Sequence, residues 1–369
     1  MKKIILIYYV KNKLIRGRTY FSNLFSFLSK NFDLTIYSNE CDYIIKDLNI
    51  NCNFVELKSI GKIPIISSVI FNYNLKEKLA KDSWDVIINI HHSHIFFDDY
   101  KNHIRVVDIN PLQNLGSGNN VRIDRRVMNY FYFRSLKKSD TIFTVGPQLK
   151  RYLEHNEIDS DKIKIFPHGV DLNIFDKKVH HSKKFDRFTV IHTGAPTNER
   201  GLEQIIDCFT SLKSIDPTIR FLNIGVSEKN EPILKNLIKE KGIEGNFEYK
   251  MQVSPEELSY YLSRCHVGLS LLENKGYYRT SPPQKLFEYF ALALPVIAND
   301  IPTNTQYVSN LKNGVIINYN SDELMSSILK LKNDKILYEK LSDEAYQSSK
   351  KADLKIIQKL MLREINNLH

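Results

Sequence analysis

Lys285 and Glu288 stand three residues apart in the segment SPPQKLFEYFALALPVIAND, residues 281–300. Ser281 is a good helix N-cap, and Pro282 and Pro283 suit the first helical positions, where a missing N–H costs nothing. A helix is therefore expected from about Pro282, with Glu288 about two turns in and Lys285 on the same face. A surface ion pair is one reading of that spacing. The other is a carboxylate that accepts two hydrogen bonds from neighbouring hydroxyls, as on a ribose. The loop before the helix, residues 276–280, would deliver Arg279, Thr280 and, with Ser281, the N–H groups of a helix start. That chemistry suits a phosphate.

A second loop, TVIHTGAPTNERG, ends a strand at Thr193 and Gly194 and resumes a helix near Gly201. Gly194 permits a tight turn and close backbone approach. Arg200 stands where free N–H groups already favour an anion, although taken alone it is a surface arginine beside a turn glycine. HHSH at 91–94 puts His91, His92 and His94 at the end of a strand. They lack a plausible metal-ligand set, but a strand's carboxyl end suits residues that line a ligand site. DSD at 159–161 has the look of a metal motif, yet it sits in a polar turn where Asp is simply a good turn former. No metal is expected. Residues 122–138, RIDRRVMNYFYFRSLKK, interleave six basic residues, Arg122, Arg125 and Arg126 among them, with Tyr130, Phe131, Tyr132 and Phe133. Basic plus aromatic on a helix suits an anionic bilayer surface. A core helix with a solvated basic edge fits the pattern equally well.

The elements that must position these groups alternate between strand-length apolar runs and helix-length periodic segments, the pattern of parallel α/β architecture. The first set of strands reads KIILIYYV, DLTIYS, DVIINI, IRVVDI, TIFTVG and IKIFPHG, with helices over 20–29, 74–81 and 125–137. The second reads FTVIHTG, IRFLNIGV, NFEYKMQV, HVGLSLL, PVIAND and GVIINY, with helices over 202–213, 232–241, 255–264, 284–293 and 322–331. A polar, basic stretch at 177–187 separates the two sets. We expect two doubly wound, Rossmann-like domains, 1–176 and 188–350, joined by that linker and facing across a cleft. Residues 351–369 form an amphipathic helix able to cross back to the first domain. In such sheets ligands bind outside the carboxyl ends of the strands.

A chain of 369 residues, 42% hydrophobic, is long enough for two cores. No apolar run approaches the ~20 residues that span a bilayer. The apolar start, MKKIILIYYVKNK, is short and lacks a small-residue cleavage site, so it reads as a first buried strand. Cys41, Cys52, Cys208 and Cys265 form no CxxC, consistent with reduced thiols in a cytoplasmic protein. The net charge is +10, and residues 1–170 carry 25 Lys and Arg against 17 Asp and Glu. An anionic partner and a Lys-rich proteome explain that asymmetry about equally. No nucleic-acid-binding module is present beside the charge.

The Glu-helix segment, taken with DVIINIHHSH, KKSDTIFTVGPQLKRYL, KIKIFPHGVDLNIF, HTGAPTNERGLEQIIDCF and HVGLSLLENKGYY in that order, resembles retaining glycosyltransferases of the GT-B fold, in particular family 4. The resemblance covers nearly the whole chain. It implies a second domain that binds a nucleotide-diphospho-sugar, UDP- or GDP-linked, and a first domain that binds a glycan or lipid-linked acceptor. It implies that Glu288 holds the ribose, that Arg200 meets the diphosphate with N–H groups of residues 279–281, and that Gln252 and Val253 lie near the base. Gly17 would let the backbone approach the diphosphate from the other lip. No cofactor is implied, since cationic side chains can stabilise a departing diphosphate without a metal.

The departures from that family are specific. Thr280 stands where a sugar-binding Glu is common, and Ala195 where an arginine commonly follows the glycine. A pair of glycines is reduced to Gly17 between Arg16 and Arg18, and a histidine is replaced near Asn110, with Asp108 two residues earlier. Arg16, Arg18, Arg279 and Lys285 are candidates for the missing phosphate charge. The cleft candidates Asp108, Asn110, His91, His92 and His94 have no assigned catalytic role. With the basic first half, the expectation is an enzyme on the cytoplasmic face of a membrane, making surface polysaccharide or glycoconjugate. The alternatives are a nucleotide-sugar epimerase, for which the sequence offers no clear carboxylate pair, and a non-catalytic partner subunit.

Overall fold

A computed structural model describes residues 1–9, 19–41, 44, 50–57, 64–90, 102–107, 123–180 and 183–368. The chain divides into two units. One holds Met1–Pro167 and Gln358–His369, the other His168–Ile357. The residues expected to be a linker, 177–187, lie inside the second unit, because they are tied into it. The Lys177 N–H donates to the Ala291 carbonyl (3.0 Å) and the Phe185 N–H to that of Arg264 (2.8 Å).

In the first unit the strands are β1 (Lys3–Tyr8), β2 (Asp33–Ser38), β3 (Asn53–Glu56), β4 (Val86–Ile90), β5 (His103–Val107), β6 (Thr141–Thr144) and β7 (Ile163–Ile165). They form one sheet in the order β3-β2-β1-β4-β5-β6-β7, every pair parallel. The helices α1 (Thr19–Asn31), α2 (Pro64–Leu79), α3 (Ile123–Lys138) and α4 (Pro147–His155) connect them. All five residues of β4 and of β5 are buried, as in a doubly covered parallel sheet, and polar Asn89, His103 and Arg105 are buried among their apolar neighbours. Helix α2 starts ten residues before the expected 74. Its opening PIISSVIFNYN mixes β-branched residues with Ser and Asn, a weak helix signal, yet Pro64 opens it and Phe71, Leu75 and Leu79 bury one face.

The second unit repeats the design. Its strands are β8 (Thr189–Thr193), β9 (Arg220–Val226), β10 (Phe247–Met251), β11 (Val267–Ser270), β12 (Val296–Asn299) and β13 (Gly314–Ile317). Their order is β10-β9-β8-β11-β12-β13, again all parallel. The connecting helices are α5 (Leu202–Ile215), α6 (Glu231–Glu240), α7 (Pro255–Arg264), α8 (Lys285–Ala291), α9 (Pro302–Thr305), α10 (Ser321–Asn333) and α11 (Lys335–Ser349). Successive strand residues face opposite cores: Val190, Phe221 and Ile297 join one, Ile191, Leu222 and Ala298 the other.

A last helix, α12 (Leu354–Asn367), begins in the second unit and ends in the first. Its final carbonyls are met by the Lys2 ammonium, which donates to Ile365, Asn366 and Leu368. A cation there complements the negative end of the helix.

Helix α8 packs unusually close to its sheet. A methyl group on Gly268 of β11 would stand 2.4 Å from Cδ2 of the Tyr289 ring. The Tyr289 hydroxyl in turn accepts from the Thr193 N–H (2.9 Å) and bonds the Thr193 hydroxyl (3.1 Å). Gly268→Ala is therefore expected to destabilise the protein by about 1–3 kcal/mol through overpacking. Denaturant unfolding measures it, and an unchanged midpoint would contradict this packing.

Candidate functional site

In the second sheet the strand order reverses between β8 and β11, so the crevice at their carboxyl ends is the natural ligand position. Two loops flank it. After β8, Gly194 takes φ +109°, its N–H donates to the Ile224 carbonyl (2.7 Å), and the chain runs through a 3₁₀ turn, Asn198–Arg200, into α5. A Cβ on Gly194 would stand 2.4 Å from Arg200 Nη1. The guanidinium thus lies against the glycine, and the φ of Gly194 disfavours any side chain there. Arg200 Nε also donates to the Tyr278 hydroxyl (3.3 Å), from the loop after β11. Helix α5 is entered through Gly201 with no side-chain cap, and the Leu202 N–H donates back to the Thr197 carbonyl (3.2 Å).

The loop after β11 carries a second 3₁₀ turn, Gly276–Arg279, before α8. Thr303 Oγ1 pins it by donating to the Tyr278 carbonyl. Asn299 and Asn304 clamp the loop's root: Asn299 exchanges two bonds with the backbone of Leu272 (2.8 Å each), and Asn304 donates to the Ser270 carbonyl (2.9 Å). The Glu273 N–H donates to the Glu199 carbonyl (2.9 Å), joining the two flanking loops.

Helix α8 begins at Lys285, three residues later than expected. Pro283 steers Pro282 away from helical geometry, so the pair precedes the helix rather than opening it. Glu288 accordingly lies in the first turn. The N–H groups of Thr280 and Ser281, expected to meet a phosphate, both donate to the Tyr277 carbonyl (3.1 Å each). Thr280 and Ser281 are buried, and Arg279 is exposed on the turn. Val253, beyond β10, is half-buried and packs against the core that holds α8, while Gln252 is exposed.

All seven residues of α8 are buried, Lys285 and Glu288 included, each only 8% exposed. The surface ion pair is therefore excluded, and the two side chains form no salt bridge with each other. Burial pushes the Glu288 carboxyl up to about 7, with the Lys285 charge opposing it. Burial, then the Arg200 charge, holds Lys285 well below the usual lysine value, and Glu288 partly offsets this. Lys285 Nζ has no hydrogen-bond partner among the described residues.

One neighbour escaped the sequence reading. His192, at the end of β8, is buried, and its Nδ1 meets Asn223 Oδ1 (2.8 Å) while Asn223 Nδ2 donates to the Gly194 carbonyl (3.2 Å). That chain puts the proton on Nδ1 and leaves Nε2 a bare acceptor without a partner. Burial, with Lys285 and Arg200 nearby, keeps this imidazole neutral. A lone histidine in VIHTG carries no spacing signal that could have found it.

Gly17, Arg16, Arg18, His91, His92, His94, Asp108, Asn110 and Arg122 lie outside the described residues. Arg125 and Arg126 fall within α3, without described side chains. Asp159 caps a 3₁₀ turn by accepting from the Asp161 N–H (3.0 Å), the turn role expected of DSD. Among the described residues no cluster of three or more His, Cys, Asp or Glu could hold a metal, and no helix is long and apolar enough to cross a membrane.

A buried carboxylate, a buried lysine and a half-buried arginine at a switch point make a site for a ligand with hydroxyls and an anionic group. Residues 173–348 match the model of glycosyl transferases group 1. Among solved structures, sucrose-phosphate synthase from Thermosynechococcus elongatus superposes with a TM-score of 0.75 at 14% identity, covering 100% of this chain and 99% of that one. HepE from Anabaena, in complex with UDP, gives 0.75 at 11%, covering 100% of both chains. WaaG, a glycosyltransferase involved in lipopolysaccharide biosynthesis, gives 0.71 at 12%, covering 99% and 100%. No curated protein sequence matches significantly. The fold is GT-B, and the enzyme class is glycosyltransferase, with the group 1 domain in the second unit.

The Glu288 carboxyl binds its proton more tightly in the folded state than the usual 4.5 of an unfolded chain. Between about pH 4.5 and 7 the folded form holds the extra proton, so unliganded stability falls as pH rises through that window. Glu288→Gln is expected to flatten this dependence and to melt higher than the parent at pH 8. Thermal melts at pH 5 and pH 8 give the comparison, and parallel profiles would refute the assignment.

Proposed function

We propose that the chain moves a sugar from a nucleotide-diphospho-sugar to a glycan or lipid-linked acceptor, with retention, as a family 4 member of the GT-B group. The observation that carries this is the burial of Glu288 beside the crevice where Arg200 lies on Gly194, inside the matched segment. A buried carboxylate gains most from two hydroxyl donors, as a ribose presents. The arginine suits the diphosphate. HepE structures with UDP and with UDP-glucose support a UDP-linked donor over a GDP-linked one. Cations supplied by the chain itself can stabilise the departing diphosphate, so the reaction as proposed needs no metal. The epimerase alternative would convert donor without any acceptor, which product analysis separates.

The pathway we propose is surface polysaccharide or glycoconjugate assembly at the inner face of the cytoplasmic membrane. The involvement of WaaG in lipopolysaccharide biosynthesis supports that setting. So does the outer face of α3, where Tyr130, 65% exposed, shares an exposed stripe with Arg134, Lys137 and Lys138.

With EDTA present throughout, UDP-glucose and related UDP-sugars should raise the melting temperature of the native chain, and Glu288→Ala should abolish the rise. An equal rise in the variant would sink the site. In flotation assays the protein should rise with anionic vesicles at low salt and not with neutral ones. Indifference to lipid charge would remove the membrane proposal.

A further inference from the structure

Four cation–aromatic contacts line one edge of the second unit. Cζ of Arg220 and Cζ of Arg264 stand 4.3 and 4.5 Å from the centre of the Phe185 ring. Arg264 also stands 5.5 Å from the centre of the Tyr260 ring, and the Lys250 ammonium 4.8 Å from that of Tyr261. Such contacts occur about once per 70–80 residues, so four in one place exceed ordinary surface scatter. They share one side of the sheet. Phe247 and Tyr249 of the outermost strand, β10, turn to one core, so Glu248 and Lys250 turn to the other face, where α7 packs. β9 separates β10 from β8, which sets this edge apart from the switch point.

Folding accounts for part of this row. Phe185 ties residues 177–187 down, its N–H donating to the Arg264 carbonyl (2.8 Å), and Arg220 pairs with Glu248 (3.1 Å). It does not account for the rest. Tyr260 is 42% exposed, yet its hydroxyl accepts from Arg264 Nη1 (2.6 Å), which fixes an uncovered ring in place. Glu248 is taken by Arg220 and Asp186 by Lys183, and neither Arg264 nor Lys250 forms a salt bridge among the described residues. Tyr260 and Arg264 are one turn of α7 apart, about 5.4 Å along the axis, close to the length of one sugar ring. We propose that this edge binds a polyanionic glycan, with a sugar ring on Tyr260 and the acid groups of neighbouring sugars on Arg264 and Lys250. The aromatic ring buries the apolar face of the sugar, and each anionic group finds a cation that no carboxylate holds. A single nucleic-acid strand suits the same groups. The glycosyltransferase class of the chain favours the glycan. The edge keeps the enzyme on a charged glycan whichever nucleotide the crevice takes.

The test is calorimetric titration at low salt with a heparin hexasaccharide, neutral maltohexaose and a thymidine dodecamer. The native chain should bind the heparin hexasaccharide, the dodecamer more weakly and maltohexaose not at all. Tyr260→Ala should weaken heparin binding roughly 10-fold although no charge changes. Lys250→Ala should weaken it similarly and reduce its salt dependence. Arg134→Ala, on α3 of the first unit, should leave it unchanged. Heparin affinity that is equal in Tyr260→Ala and the parent overturns the inference, because a merely electrostatic surface has no need of the ring. So does a dodecamer that binds more tightly than the hexasaccharide, or a Tyr260→Ala protein that melts well below the parent, which would mark the ring as structural. The melting shift given by UDP-glucose is read on the same proteins and should be equal in Tyr260→Ala and the parent. Failure of the donor crevice and failure of the glycan edge are thus seen separately.

Discussion

Tyr289 joins three parts of the second unit at one point. Its hydroxyl satisfies the N–H of Thr193, where β8 ends, and its ring lies on Gly268 of β11. β8 and β11 are the two strands between which the sheet order reverses. The side chain therefore fixes helix α8 over the switch point, and everything one turn earlier on that helix is aimed by it. This contact acts with the Arg200–Tyr278 and Glu273–Glu199 hydrogen bonds to set Glu288 and Lys285 against the loop that carries Arg200.

The electrostatics follow from how deeply that contact sinks the helix. An ordinary surface helix buries one stripe; α8 is buried on every side. Its two charged residues are desolvated as a result, which raises the carboxyl of one and lowers the ammonium of the other. On an exposed helix the same i, i+3 spacing would be a weak, screened pair. Packing between Leu286, Phe287, Phe290 and the sheet thus sets the protonation behaviour of groups that take no part in that packing.

Much of the fold was legible because its parallel strands are short, strand-length segments rich in buried apolar residues, such as KIILIY and VIINI, with periodic helices between them. The short edge strand NFVE was missed because its ends are exposed, its two middle residues only half-buried, and its pattern weak. Glu288 and Arg200 were legible through their neighbourhoods in sequence. The depth of α8 was not, since SPPQKLFEYF is compatible with a surface helix until Gly268 and Tyr289, 21 positions apart, are seen in contact. Nor was the diversion of the Thr280 and Ser281 N–H groups to Tyr277, because two consecutive prolines serve equally as a helix start and as a turn before one.

The last helix begins in one unit and ends in the other, and Lys2 holds its final carbonyls. The second unit is a single continuous stretch, but the first is assembled from both extremities of the chain. On a ribosome, the part made first is thus the part completed last. Its sheet emerges early and must wait through some 190 residues of further translation for its closing helix. The usual order, in which amino-terminal domains finish before later ones begin, is inverted here by one connection.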